Sequence, residues 1–245
     1  MSEVPPVGTI DLGRDFGPVV TQGAEPLCAA AVAAGLLWHL SDHKDRVDVC
    51  VSCLASQTTA AGHVLTVASC LAVVRKEGIP VSHNGPCQAR PPQRDAAALD
   101  WSTQYLHDAD NQEKLDLALA WLSTGSPFAF QIGLYPSAML ASRSGWLRAP
   151  APGEVRIGLH AVLCVGYLPL LPQAEENCGG AGLIIKNSWG PKWGAQGYGV
   201  VDSRYLKLSE TGAFLRCVTQ DRRGPQREDG NVGVTVRRVG EGGVA

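Results

Sequence analysis

Apolar residues run almost without a break from Leu27 to Trp38, which predicts a helix from about Cys28 to Leu40. Its Ala29 to Ala34 stretch is small and apolar on every side, the pattern of a helix buried between other elements. Residues 1–21 are rich in Pro and Gly and read as an extended arm leading into it. Ser41 to Arg46 form a polar exit loop, and 47–55 are a short apolar run that fits a turn of helix or a strand. Ser56 to Gly62 read as a loop. From His63 to Glu77 the apolar positions Val64, Val67, Ala68, Leu71 and Val74 recur at helical spacing, and Gly78 supplies the stop. Residues 79–104 are Pro-rich, polar and irregular. A further helix is predicted over Gln112 to Leu122, with Leu115, Ala118, Leu119 and Leu122 on one face, Asn111 as cap and Gly125 as terminator.

Beyond residue 126 the period changes. Pro127 to Leu134, Leu159 to Leu168, Gly182 to Asn187, Gly197 to Val201 and Ala213 to Val218 read as strands. Helices first and strands second argue for an α+β chain with segregated parts rather than alternating βαβ units. The expected division is a helical subdomain over about 20–125, a β subdomain over about 126–219, and a disordered Gly-, Arg- and Glu-rich tail over 220–245. The Arg pairs of that tail read as solvated charge, and there is no internal repeat.

Composition narrows the function classes. With 245 residues, 45% hydrophobic, 18% charged and a net charge of −2, nothing favours nucleic acid or an acidic membrane surface as partner. No run of 18 apolar residues suggests a membrane span, and the first residues lack the basic-then-apolar order of a secretory signal. Cytoplasmic residence without a propeptide is therefore expected. The eight cysteines (28, 50, 53, 70, 87, 164, 178, 217) are then expected as reduced thiols. Cys50-Val51-Ser52-Cys53 is a C-x-x-C, but it lacks a second ligand pair for a metal and a preceding strand for a thioredoxin-like redox site. Cys70 and Cys164 lie on apolar runs and read as core. His39, His43, His63, His83 and His107 read as surface or structural, and no metal or cofactor is expected.

Candidate chemistry gathers at Cys28. A thiol at the head of a helix meets partial positive charge, which favours the reactive thiolate. Taken alone, Cys28 reads more readily as a buried core cysteine than as a nucleophile. Amide cleavage by a thiol needs an imidazole, a group to orient it, and donors for the oxyanion. His160 opens one apolar strand and Asn187 ends another, and if these pair as a hairpin the Asn side chain is placed to orient the imidazole.

The segments HAVLCVGY (160–167) and LIIKNSWGPKWGAQGYGVV (183–201) resemble the C-terminal half of the papain-like cysteine peptidases. Gln22-Gly23, four further residues and then Cys28 match the glutamine-to-cysteine spacing of the same family. The interval from Cys28 to His160 also fits that class. The resemblance implies a papain-like fold with the active-site cleft between the two subdomains. It implies Cys28 as nucleophile, His160 as base and acid, Asn187 as its orienter, and Gln22 with the Cys28 N–H as oxyanion hole. Trp189 is implied as the shield over the His–Asn pair. Ala60-Ala61-Gly62 stands where the family carries its Gly-Gly substrate-binding turn; Gly62 then pairs with a substrate chain by strand addition, or is a plain loop glycine. Leu159 is implied in a pocket for the side chain second from the scissile bond. Peptide or protein is the implied substrate.

The departures lie around the nucleophile. Glu25-Pro26-Leu27-Cys28-Ala29 replaces the family's Gly-Ser-Cys-Trp signature, and Glu25 stands where secreted members carry a disulfide cysteine. Two rival expectations follow: a transpeptidase or amide-forming acyltransferase using the same chemistry on a dedicated peptide, and an inactive homologue that only binds peptide.

Overall fold

The computed structural model describes residues 8–41, 46, 48–82, 93–94, 101–106, 111–140, 144–169, 181–208, 211 and 214–219. The expected disordered tail, Cys87, Cys178, His43, His83 and His107 lie outside them, as do residues 42–45, 83–92 and 170–180. The apolar run is helix α1 (Cys28–Leu40), with Ala29, Ala30, Val32, Ala33, Gly35, Leu36 and Leu37 all buried. Helix α2 covers Val51–Ala60, so 56–60 is not the loop that its Ser and Thr content suggested. The hydroxyls of Thr58 and Thr59 bond back to the carbonyls of Leu54 and Ala55, which lets these residues stay helical. Helix α3 (Val67–Glu77) starts four residues later than its periodicity implied. Thr66 and Ser69 form a reciprocal capping box that fixes the start, leaving Val64 outside at 82% exposure.

The remaining elements build a sheet. Strands β1 (Ile10–Asp11), β4 (Trp101–Leu106), β5 (Phe128–Leu134), β6 (Trp146–Leu147), β7 (Gly158–Pro169), β8 (Ala181–Lys186), β9 (Tyr198–Asp202) and β10 (Phe214–Thr219) join it. Short β2 (Ile79–Pro80) and β3 (Gln93–Arg94) pair separately. The order across the large sheet is β4-β10-β5-β7-β8-β9-β6, with β1 added on β7. All of its pairings are antiparallel except β6 with β9. The expected hairpin is present: β7 and β8 pair from Leu163↔Lys186 to Pro169↔Ala181, with a bulge between Cys164 and Gly166. Strand β4 lies in the stretch expected to be irregular. Its alternation is hidden by polar partners, and it is held by β10 over six residue pairs.

Strand β7 has an apolar core on each face, as the period of two requires. Leu163 and Val165 pack with α1, α2 and α3 in one cluster. Val162 and Cys164 pack in a second cluster with helix α4 (Asn111–Ser123), through Ala118, Trp121 and Leu122. Helix α1 comes nearest the sheet at Gly35, where an added Cβ would lie 2.7 Å from Leu163 Cδ2. A short helix α5 (Pro136–Leu140) follows β5.

Candidate active site

His160 sits in β7 opposite Ile132 of β5 and is 2% exposed. Asn187 follows the last residue of β8 and is 3% exposed. His160 Nε2 lies 2.7 Å from Asn187 Oδ1, an oxygen that also accepts from the Ser188 N–H at 2.8 Å. An amide oxygen only accepts, so the imidazole carries its hydrogen on Nε2 and keeps Nδ1 free. The Trp189 ring stacks on His160 at 5.0 Å and 30°, and Trp193 meets Trp189 edge-on at 5.6 Å and 87°. Burial pushes the His160 pKa down to about 4, while the Asn187 hydrogen bond pulls it the other way.

The loop before α1 is stitched to this segment. Gln22 N donates to Ser188 O at 2.9 Å, Gly190 N donates to Val20 O at 2.9 Å, and Thr21 bridges Trp189. The Ser188 hydroxyl donates to Gln22 Oε1, and Gln22 Nε2 donates to Glu25 O at 3.0 Å. An amide nitrogen has two hydrogens, so Glu25 takes only one of them. Lys186, buried at the end of β8, donates to the carbonyls of Phe16, Gly17 and Pro18 at 2.6, 3.0 and 2.9 Å. Burial lowers its pKa to about 8, and the Asp48 carboxylate opposes the shift.

Cys28 is a free, half-buried thiol at the first position of α1. The helix has no side-chain cap and no acidic residue in its first turn, and its hydrogen-bond ladder begins with Ala31 N donating to Leu27 O. The N–H groups of Cys28, Ala29 and Ala30 precede that ladder, where a helix end attracts negative charge. Gln22, His160, Asn187 and Trp189 thus form one contact network with Ser188. Cys28 joins it through the Gln22 loop and through the packing of α1 on β7. Leu159, next to His160, is 48% exposed. Gly62 lies in the turn after α2 with φ of 78°, and its N–H donates to Thr59 O.

Sequence reasoning missed Ser188 and Lys186. The signal for Lys186 was a charge ending an otherwise apolar strand, and for Ser188 its place between two residues already singled out. A correction concerns the thiols: Cys53 is disulfide-bonded, whereas reduced thiols were expected throughout. Cys28, Cys50, Cys70, Cys164 and Cys217 are free. Cys70 and Cys164 are fully buried, as core cysteines should be.

A family profile described as papain family cysteine protease matches residues 50–209, which include His160, Asn187 and Trp189. The chain belongs to the papain family. Within 104 residues it is 30% identical to an uncharacterized peptidase C1-like protein of Acanthamoeba polyphaga mimivirus, a match that covers 42% of this chain and 30% of that protein. Its fold is similar to that of xylellain, a cysteine protease from Xylella fastidiosa, with a TM-score of 0.66, 22% identity and 87% of each chain covered. The α+β, papain-like architecture is thereby shown. Among the described residues no group of three or more His, Cys, Asp or Glu is placed to hold a metal ion. No described helix is long and apolar enough to cross a membrane.

Proposed function

We propose that this papain-family chain is a cysteine-type peptidase with Cys28 as nucleophile. The observation that carries the reading is the buried His160–Asn187 hydrogen bond under Trp189, on the strand against which α1 packs. The Cys28 sulfur attacks a peptide carbonyl carbon, and the oxyanion meets the Cys28 N–H and the second Gln22 N–H. His160 takes the thiol proton at Nδ1 and returns it to the leaving amine, which departs with its peptide. A thioester remains on Cys28 and water hydrolyses it. Asn187 holds the ring, Leu159 offers an apolar contact for substrate, and the Gly62 carbonyl is an acceptor for a substrate N–H.

The test is alkylation of Cys28 by iodoacetamide across pH, read by intact mass, beside turnover of fluorogenic peptides. Labelling that is faster in the wild type than in His160→Ala across the pH range, and no turnover in Cys28→Ser, support the proposal. Equal labelling in both proteins with no turnover overturns it. Product masses with an added amine distinguish hydrolysis from transfer to an amine acceptor.

One observation favours a second reading, a non-catalytic peptide binder: the Gln22 amide donates to Glu25 O within its own loop. Peptide binding without thioester formation would select that reading. The disulfide at Cys53 weighs toward an oxidising compartment over the cytoplasmic one expected from the sequence.

A further inference from the structure

The arm ahead of α1 belongs to no helix or strand from Leu12 to Val20. Its course is therefore set by what reaches it from the sheet. Leu12 N donates to Val165 O at 2.9 Å, and Tyr198 Oη donates to Arg14 O at 3.0 Å. The strongest hold comes next. Lys186 turns its ammonium on three consecutive carbonyls, those of Phe16, Gly17 and Pro18, and three hydrogens are all that it has. Hydrogen bonds from a charged donor are roughly twice as strong as neutral ones. Lys186 is 7% exposed, so solvent competes little for them. Two residues further on, the arm meets the residues that follow β8. Val20 O accepts from Gly190 N, Thr21 bridges Trp189, and Gln22 N donates to Ser188 O. The seat is close: a Cβ added to Gly190 would lie 2.5 Å from Thr21 Oγ1.

We propose that Lys186 is a positioning residue for the oxyanion side of the site, acting through the arm on Gln22. The inference rests on the peptidase reading above, in which the Gln22 amide and the Cys28 N–H receive the oxyanion. Lys186, Asn187 and Ser188 are consecutive in the chain. The first holds the backbone that leads into Gln22, the second holds the His160 ring, and the third holds Gln22 at its N–H and its Oε1. The acid–base group and the oxyanion donor are thus both referenced to one strand end. Ser188 fixes where the Gln22 oxygen sits, but a hydroxyl rotates to follow its acceptor and leaves the direction of the chain open. The ammonium supplies that direction, because it fixes three successive peptide planes ending four residues before Gln22. Methionine at 186 keeps an unbranched stem and removes the hydrogens. The carbonyls then turn to other donors, and Gln22 samples orientations in which its second N–H misses the developing oxyanion. That interaction is made in the transition state, so kcat falls and KM does not.

The test is a double-mutant cycle in the full chain: wild type, Lys186→Met, Gln22→Ala and the pair, each shown folded by circular dichroism. Turnover of one fluorogenic peptide should show kcat about 10-fold lower in Lys186→Met, with KM unchanged. In the Gln22→Ala background the same substitution should cost less than about 2-fold, since residues that act through one another are not additive. A substitution that merely loosens the fold would cost the same in both backgrounds. The second readout needs no turnover: the NMR signal of the Gln22 side-chain amide, assigned by its loss in Gln22→Ala. It should move in Lys186→Met, and also in Lys186→Gln, which keeps two of the three hydrogens and stands in where the Met variant does not fold. Equal kcat losses in both backgrounds overturn the proposal, as does a Gln22 amide signal that stays in place in a folded variant. A wild type that turns over no peptide sinks the peptidase reading, and the amide signal then decides by itself whether Lys186 positions Gln22.

Discussion

The Ser188 hydroxyl donates to the side-chain oxygen of Gln22, across 166 positions of sequence. With its oxygen held, the Gln22 amide can present its nitrogen only on the opposite side. Under the proposed peptidase reading, Gln22→Ala lowers kcat about 100-fold, the usual loss for one oxyanion donor. Ser188→Ala lowers it about 10-fold, as expected for loss of one positioning hydrogen bond, with KM unchanged in both. Steady-state kinetics on one peptide check this, and a fall confined to KM would contradict it.

Lys186 is the fastening of the N-terminal arm. Replacing it by Met removes three hydrogen bonds and leaves the carbonyls of Phe16, Gly17 and Pro18 to find other partners. A loss of about 3 kcal/mol is expected in urea unfolding. Limited proteolysis should then cut near residues 16–18 in Lys186→Met before it cuts elsewhere. An unchanged midpoint with unchanged cleavage would show that the three contacts contribute nothing.

Acid should destabilise the protein through His160. Its folded pKa, about 4, lies below the ordinary histidine value of 6.5, so between these values the unfolded chain binds the extra proton. Stability contributed by the neutral ring is therefore present above pH 6.5 and is lost as pH falls toward 4. The full span is worth at most about 3 kcal/mol. Chemical unfolding at pH 7 and pH 4.5 should show a smaller pH loss in His160→Gln than in the wild type. Equal losses would mean that His160 does not titrate in this window.

How much of this was legible in the chain depends on range. The Cys28 helix, α4 and five of the strands followed from local period, because burial on one or both faces writes itself into neighbouring residues. His160 and Asn187 were found by their segments, and the β7–β8 pairing then confirmed that those segments meet. Strand β4 was missed because Ser102, Thr103 and Gln104 give no local reason to extend; only β10, more than a hundred residues later, supplies one. The same limit hid Lys186, whose partners are 170 residues away. The Cys53 disulfide was hidden by an inference about compartment, which rests on no residue near Cys53 at all.

Asn187→Asp should raise the His160 pKa. A carboxylate at 2.7 Å favours the imidazolium, in opposition to the burial that now holds the ring neutral. NMR titration of the His160 ring should move upward by at least one pH unit, and the same variant should lose less stability on acidification. A ring that still titrates near 4 would show that desolvation outweighs the added charge.

The position of β10 has a consequence for synthesis. It lies between β4 and β5, and it gives Leu215 and Cys217 to the core beneath α1. A chain made from its N-terminus at roughly 5–20 residues per second therefore exposes Cys28 long before the seat of its helix is complete. Contacts of such sequence separation close slowly, since the loop entropy is lost before the contact forms. The nascent chain thus carries the Cys28 thiol without the assembled sheet, and the centre proposed around that thiol matures only after translation has passed β10.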